Sequence, residues 1–329
     1  AEWVRMLADI REGIGMPVMI NEMVIHNPDD VYHFISNHSL SSAEPIVINA
    51  VENESEVLIE QFITGKEFSC IVVETEAGNA VALPPTEIRK GKEVFDYRSK
   101  YLPGLSRKIT PIELPDVQLQ EIRNECERLF SALHFNVYAR LDGFMSNDGI
   151  VYLNDPNTTS GMLPSSFFFH QAAEIGLNPS QFLTFIIRTS VNARISDFKQ
   201  ADKLPVLLKQ IDHAIDLFHA HEKEKIKIAV MLGGYSSERH ISVESGRNVY
   251  EKLSSSGKYE PVPVFVTGNI ESHQLFTIPV NVLLKDNADD IKEKIDHYKV
   301  HHLIGEIIEQ CKSITGKYAS EKNLAAPQH

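Results

Sequence analysis

Three oxygen-bearing side chains, Asp142, Asp155 and Asn157, lie in two apolar stretches on either side of the turn-forming segment 146–149. This pattern predicts a β-hairpin. Asp155 and Asn157 are two residues apart and therefore share one face of the second strand, near Asp142 on the first. Carboxylate and amide oxygens suit Mg²⁺, which completes its shell with water and substrate phosphates. The alternative is a hairpin with a solvated acidic face.

Composition and charge limit the class of protein. The 329 residues, 43% hydrophobic and 23% charged, predict roughly two globular domains with a substantial core. A net charge of -13 leaves no basic stripe for a general nucleic-acid binder. The cysteines, Cys70, Cys126 and Cys311, form no C-x-x-C pair, which fits a reducing compartment. Because no apolar run reaches about 18 residues and no signal-peptide pattern is present, we expect a cytoplasmic protein without a membrane segment.

The spacing of apolar residues predicts the elements that position these groups. Residues 114–133 repeat apolar side chains with a period of about 3.6, which predicts a helix before the hairpin. Residues 57–73 predict two strands joined by a turn. A βαβ unit is predicted from an apolar strand over residues 225–232, followed by a glycine-rich turn, a helix and a strand over 261–266. Its ligands would bind at the carboxyl ends of the strands. The glycines do not form G-x-G-x-x-G, which disfavours a dinucleotide site.

Several short motifs lie along the chain in a fixed order. They are Val57-Leu58-Ile59-Glu60, Gly65-Lys66-Glu67, Phe95-Asp96-Tyr97, Lys100-Tyr101, Ala139-Arg140-Leu141-Asp142, Asn157-Thr158, Gly161-Met162, Ser165-Ser166 and Gly233-Gly234-Tyr235-Ser236-Ser237-Glu238-Arg239. Together they resemble the successive signatures of D-alanine–D-alanine ligases of the ATP-grasp superfamily. The last motif resembles the opening of the same enzymes, although here it comes after the others.

The resemblance implies an α/β (α+β) fold in three segments. Residues 1–196 would form an ATP-grasp domain with antiparallel sheets, truncated at its start. Residues 197–224 would form a helical linker, and residues 225–329 a partial amino-terminal lobe of the Rossmann-like βαβ type with a helical tail.

The resemblance also implies a role for each matching position. Asp142, Asp155 and Asn157 would hold Mg²⁺, or Mn²⁺, against the ATP phosphates. The residues implied to bind ATP are Glu60, Ile63, Glu67 and Lys100. Arg140 and the N–H of Gly161 would stabilise the oxyanion of a tetrahedral intermediate. The residues implied to bind substrate are Ser165 and Ser166, at the carboxylate of the second D-alanine, and Glu238, at the ammonium of the first.

The reaction implied by the resemblance is ATP-dependent formation of the D-alanyl-D-alanine dipeptide for peptidoglycan. ATP would phosphorylate the carboxylate of one D-alanine, and the amine of a second would displace the phosphate. D-alanine would be the partner, with no nucleic acid and no membrane. We also expect a homodimer, in one arrangement with lobes exchanged between copies.

Five departures from the family pattern leave alternatives open. Asp155 stands where the family has Glu, and Ser160 replaces a proline. Asn21 replaces a strand lysine that binds ATP, and no Gly-Ser-rich lid loop follows it. The lobes are also in reverse order, so the chain is either permuted or, as we favour, a slice of a longer protein with tandem ligase-like units. A non-catalytic ATP-grasp fragment that binds nucleotide or mediates assembly is the alternative to a ligase.

Overall fold

The computed structural model of the chain describes the greater part of its residues. These are residues 17–26, 28–39, 46–50, 61, 63–90, 106–197, 203–220, 224–319 and 325–329. The chain forms two units, the first Ala1–Ile63 with Lys90–Ser106 and the second Thr64–Arg89 with Arg107–His329. Among the described residues, no helix combines the length and apolar character needed to cross a membrane.

The described part of the first unit is a small antiparallel sheet with one helix. Its elements are β1 (Val18–Ile20), β2 (Met23–Ile25), α1 (Pro28–Ser39) and β3 (Ile48–Ala50). The sheet order is β2-β1-β3, and Val18, Ile20 and Ile25 form its core. Asn21 and Glu22 join β1 to β2 with φ of 46° and 71°, the left-handed backbone that a two-residue hairpin turn needs.

The second unit contains two sheets. The larger comprises β4 (Gly65–Glu74), β5 (Ala80–Ala82), β6 (Thr86–Lys90), β7 (Ser106–Ile109), β8 (Tyr138–Ser146) and β9 (Val151–Asn157). Its order is β7-β6-β4-β8-β9, with β5 paired to β4. The smaller comprises β10 (Ile226–Gly233), β11 (Tyr259–Gly268) and β12 (His273–Thr277) in that order. The α/β class with antiparallel sheets, predicted from the sequence, is confirmed.

Helices cover both faces of the larger sheet and connect it to the smaller one. They are α2 (Asp116–Ala132), α3 (Phe167–Glu174), α4 (Pro179–Asp197), α5 (Leu204–Ala220), α6 (Arg239–Ser254), α7 (Val280–Leu283), α8 (Ala288–Asp296), α9 (His302–Gln310) and α10 (Lys312–Tyr318). The helix predicted over 114–133 and the helix predicted between the two family-like segments are both observed, as α2 and α5.

Buried residues alternate along β4 between two cores. Phe68, Cys70 and Val72 belong to a core that α2 covers, whereas Ile71 and Val73 belong to a core shared with α3 and α4. The alternation follows from the period of two in a strand, which sends successive side chains to opposite faces. A polar residue on this strand therefore lies on a face that its position in the sequence determines.

The predicted βαβ unit is confirmed. Strands β10 and β11 are parallel, and α6 connects them. Gly246 lets α6 approach closely, because a Cβ at that position would lie 2.7 Å from the Cβ of Leu232 on β10. Gly233, at the end of β10, has a φ of 91°, which favours glycine over other residues.

The βαβ lobe packs on the larger sheet of the same chain. Core residues from both parts belong to one cluster, which joins Phe168 and Phe182 to Leu232 and Val282. A buried ion pair between Glu174 of α3 and Lys285, with 3.1 Å between its charged atoms, crosses the same junction. Hydrophobic burial supplies the main attraction between the two parts. The ion pair adds a polar contact that forms only when the two parts pack in this one orientation.

Candidate active site

The predicted hairpin brings the expected metal-binding residues together. In the β8–β9 pair Asp142 lies directly opposite Asp155, and Arg140 lies opposite Asn157. Residues directly opposite in an antiparallel pair present their side chains on the same face, so these four side chains share one face of the sheet. A register shift follows Asp142 and leaves an extra residue in β9. Such a bulge is a common device for redirecting a strand beside a functional site.

Asp142 is the most constrained member of the group. Its Oδ1 accepts a hydrogen bond of 2.7 Å from Ser69 Oγ on β4, and Arg140 donates to both of its carboxylate oxygens. Its side chain is 22% exposed. Burial raises the pKa of the Asp142 carboxyl, and Arg140 and Ser69, which act in the opposite direction, do not outweigh it. The charge of Asp155 raises the pKa further. A cation at this face would favour the ionised form of the Asp142 carboxyl.

Asp155 and Asn157 complete a set of three side-chain oxygen donors. Asp155 is exposed and Asn157 half-buried, and Asn157 Nδ2 donates a 2.9 Å hydrogen bond to the backbone oxygen of Asp155. That bond orients the amide and leaves Oδ1 as its ligand atom. Two carboxylates and an amide oxygen suit a hard divalent cation such as Mg²⁺. The residues present fit the metal that the sequence resemblance implies.

A buried glutamine fixes the strand that carries Ser69. Gln171 of α3 is fully buried and donates to the backbone oxygen of Ser69 at 2.8 Å, while its Oε1 accepts from the N–H of Ile71 at 2.8 Å. Its Nε2 also lies 3.1 Å from Thr86 Oγ1. These bonds satisfy buried polar groups that would be costly to leave unpaired. Gln171 therefore positions Ser69 and, through it, Asp142.

The residues predicted to bind the second substrate precede α3. Ser166 is the N-cap residue of this helix, and its Oγ is buried without a hydrogen-bond partner in the described structure. Lys108 Nζ donates to the backbone oxygen of Ser165 at 2.6 Å. Gly161 is exposed, and a Cβ added there would meet nothing within 4 Å. A helix N-terminus, a hydroxyl and a nearby ammonium suit a carboxylate.

Glu238 lies at the start of α6, where β10 ends. It is exposed, as expected for a ligand-facing residue at the carboxyl end of the parallel strands. The next residue, Arg239, pairs with Asp289 through Nε at 2.8 Å and Nη2 at 3.0 Å. Lys108 Nζ, which binds Ser165, also lies 2.8 Å from Asp286 Oδ1. Asp286 lies just before α8 and Asp289 in its first turn, so both contacts end near the start of that helix.

The predicted ATP-binding residues are only partly described. Glu67 lies on β4 and is half-buried. Ile63 is half-buried and belongs to the first unit. Glu60 and Lys100 lie outside the described residues, so their predicted roles stay predictions. Asn21 occupies the β1–β2 turn, where its Oδ1 accepts from the N–H of Val47 at 3.1 Å.

Sequence reasoning did not single out Ser69, Gln171 or Lys108. Ser69 carried a usable signal, because it is a polar residue in the middle of an otherwise apolar strand and shares the face of Glu67. Gln171 and Lys108 had none, since their contacts join segments far apart in sequence.

Two family models match the chain, and both describe the same enzyme. Residues 32–188 match the model of the D-ala D-ala ligase C-terminus, and residues 227–322 match that of the D-ala D-ala ligase N-terminus. The chain belongs to the D-alanine–D-alanine ligase family. The C-terminal match precedes the N-terminal match, so the family's two parts occur here in reverse order. The fold class expected from the sequence, with an ATP-grasp part followed by a βαβ lobe, is confirmed.

Individual members of the family match only part of the chain. D-alanine–D-alanine ligase B from Clostridium perfringens is 29% identical over 187 residues, which is 56% of this chain and 58% of that protein. The ligase from Porphyromonas gingivalis is 34% identical over 186 residues, 56% of this chain and 55% of its own. The crystal structure of the Bacillus anthracis ligase has 27% identity and a TM-score of 0.35, covering 56% of this chain and 57% of that one. The chain thus spans about half the length of the curated relatives that it matches.

Proposed function

We propose that this chain carries out, or contributes the catalytic half of, ATP-dependent D-alanine–D-alanine ligation. The observation that carries the proposal is the cross-strand register, which puts Asp142 opposite Asp155 and Arg140 opposite Asn157 on one face. Membership of the ligase family supports it. The proposed division into domains at residues 196 and 225 is supported by the positions of the two family matches, which end at 188 and begin at 227.

In this proposal each described residue acts on a specific part of the reaction. Asp142, Asp155 and Asn157 hold Mg²⁺, which neutralises the phosphates of ATP when bound. Arg140 donates a hydrogen bond to the carboxylate of Asp142. Its positive charge would stabilise the oxyanion that forms at the acyl carbon. The N–H of Gly161 lies in a segment open enough for a substrate to approach.

The two amino acids would each bind through residues of their own. Ser166, at the N-terminus of α3, and Ser165 hold the carboxylate of the second D-alanine, while Glu238 holds the ammonium of the first. The carboxylate of the first D-alanine attacks the γ-phosphorus, which releases ADP and forms an acyl phosphate. The amine of the second then attacks the acyl carbon, which releases phosphate and forms the peptide bond.

The proposal is tested by Mg²⁺-dependent nucleotide binding and by D-alanine-dependent phosphate release from ATP. We expect the Asp142→Asn variant to bind Mg²⁺–nucleotide at least about tenfold more weakly, because it removes a charge from the cation site. Asp148→Asn is the matched control, since Asp148 is exposed in the turn of the same hairpin. Equal binding by both variants would overturn the assignment of the metal site.

The two candidate functions give different results in the same assay. Nucleotide binding with D-alanine-dependent phosphate release supports a ligase. Nucleotide binding without phosphate release supports the non-catalytic alternative. The proposed homodimer is tested separately, by the mass of the protein in solution.

A further inference from the structure

A second group of metal-ligand side chains lies where α2 meets α9, outside the proposed ligase site. Asp116 is the first residue of α2, and His301 and His302 begin α9. Nε2 of His302 lies 2.5 Å from Asp116 Oδ2, and Nε2 of His301 lies 3.9 Å from Asp116 Oδ1. Each residue offers one ligand atom, and the three ligand atoms lie within 4.8 Å of one another. Among the described residues, no other group of three His, Cys, Asp or Glu side chains is this close together.

We propose that Asp116, His301 and His302 bind a divalent transition-metal ion, with Zn²⁺ as the expected occupant. Two imidazoles and a carboxylate form a donor set typical of zinc, whereas Mg²⁺ prefers oxygen ligands alone. Around a tetrahedral Zn²⁺ the ligand atoms lie about 3.3 Å apart. The distances of 2.5 Å and 3.9 Å lie on either side of that value. The two distances run to different oxygens of Asp116, so binding of one ion by all three residues requires side-chain rotation.

Imidazole binds a metal through a lone pair in its ring plane, so one of the two stacked histidine rings must rotate about its χ2 before both can bind the same ion. The two rings stack with centroids 4.7 Å apart and planes inclined by 18°, and both Nε2 atoms approach the same carboxylate. The side chains of His302 and Asp116 are 65% and 48% exposed, so an ion can reach them from solvent. Nδ1 of His301 accepts from the N–H of Leu303 at 3.3 Å. Binding through Nε2 moves the ring proton to Nδ1, so the metal bond replaces this weak helix-capping bond.

The surroundings of the group are acidic. A groove between α2 and α9 is lined by Glu121, Glu125 and Glu306 together with Asp116. Glu306 is four residues after His302 and therefore lies on the same face of α9. The acidic groove as a whole attracts cations.

The position of the site gives it a structural consequence. Helix α2 belongs to the part that matches the C-terminal family model, and α9 to the part that matches the N-terminal model. An ion held by Asp116 and the two histidines therefore links two segments that the chain connects only through residues 189–226. Because the unfolded chain does not assemble the three ligands, metal binding stabilises the folded state.

The test is a metal titration of the whole 329-residue chain after removal of metals with a chelator. Zn²⁺ is titrated against a chromophoric chelator in excess Mg²⁺, which competes for the oxygen site around Asp142. Co²⁺ is used in a parallel titration, because its visible absorption reports a tetrahedral site directly. The variants are Asp116→Asn and His302→Gln, and His297→Gln is the matched control, since His297 is exposed at the end of α8.

We expect the unmodified chain and the control to bind one tight equivalent of Zn²⁺ and to give a tetrahedral Co²⁺ spectrum. The two site variants should bind that equivalent at least about 10- to 100-fold more weakly, as loss of even an outer metal-site partner does. Zn²⁺ should raise the unfolding temperature of the unmodified chain and the control but not of the site variants. The proposal fails if the site variants, with unchanged circular dichroism, bind Zn²⁺ like the control, or if the unmodified chain binds no tight equivalent.

Discussion

Removing Lys285 alone should destabilise the protein far more than removing both members of its ion pair with Glu174. The charged atoms are 3.1 Å apart, and the side chains of Lys285 and Glu174 are only 11% and 6% exposed. The other carboxylate oxygen of Glu174 accepts a 3.0 Å hydrogen bond from Asn281 Nδ2. Glu174 belongs to α3 and Lys285 to the βαβ lobe, so the pair reports on the junction between them.

The expected magnitudes follow from the burial of the two charges. Lys285→Met leaves the Glu174 carboxylate buried without its cation, which costs about 3 to 5 kcal/mol of unfolding free energy. Replacing both residues with methionine removes both charges, a change that is often neutral or stabilising by about 1 to 4 kcal/mol. The loss of the Asn281 hydrogen bond opposes this gain by about 1 to 3 kcal/mol. The double variant should therefore lie within about 3 kcal/mol of the unmodified protein.

Urea unfolding of the two single variants, the double variant and the unmodified protein forms a double-mutant cycle. The control is the pair of Glu309 and Lys312, which are 2.8 Å apart but 70% and 72% exposed. Lys312→Met should change stability by no more than about 1 kcal/mol. If Lys285→Met is equally mild, or if the double variant is as unstable as the single, the buried charges do not hold this junction as we argue.

Three further predictions concern packing, buried polar groups and thiols. Gly246→Ala should destabilise the protein, because the added Cβ would lie 2.7 Å from the Cβ of Leu232. Gly305→Ala, at a helix position where an added Cβ would meet no atom within 4 Å, should stabilise the protein by about 0.5 to 1 kcal/mol. Thermal unfolding measures both changes, and equal shifts in unfolding temperature would refute the close packing of α6. Gln171→Met should lower the free energy of unfolding in urea by at least about 2 kcal/mol, because the buried N–H of Ile71 and the buried carbonyl of Ser69 lose their hydrogen-bond partner. A smaller loss of stability would contradict the role given to Gln171. Burial raises the pKa of Cys311 to about 12, so this thiol should resist a thiol-specific reagent at pH 8 and react only after denaturation. Rapid labelling of Cys311 in the native protein would contradict this prediction.

The sequence by itself determined the local elements of this protein and the face on which its polar groups lie. Alternating apolar residues and the turn at 146–149 predicted the β8–β9 hairpin, and the observed register puts Asp142 opposite Asp155. The glycine-rich turn between an apolar strand and a helix predicted the βαβ unit, which is observed. These predictions succeeded because strand alternation, helix periodicity and turn chemistry depend on residues that are neighbours along the chain.

Only the tertiary structure decided which distant residues support those elements. Ser69 meets Asp142 across 73 positions, Gln171 meets Ile71 across 100, and Lys285 meets Glu174 across 111. No periodic pattern marks such a pair, because its members meet only after the strands and helices have packed. The sequence predicts that a polar residue lies on a given face, but the path of the rest of the chain determines its partner and, as at Asp142, the pKa that results.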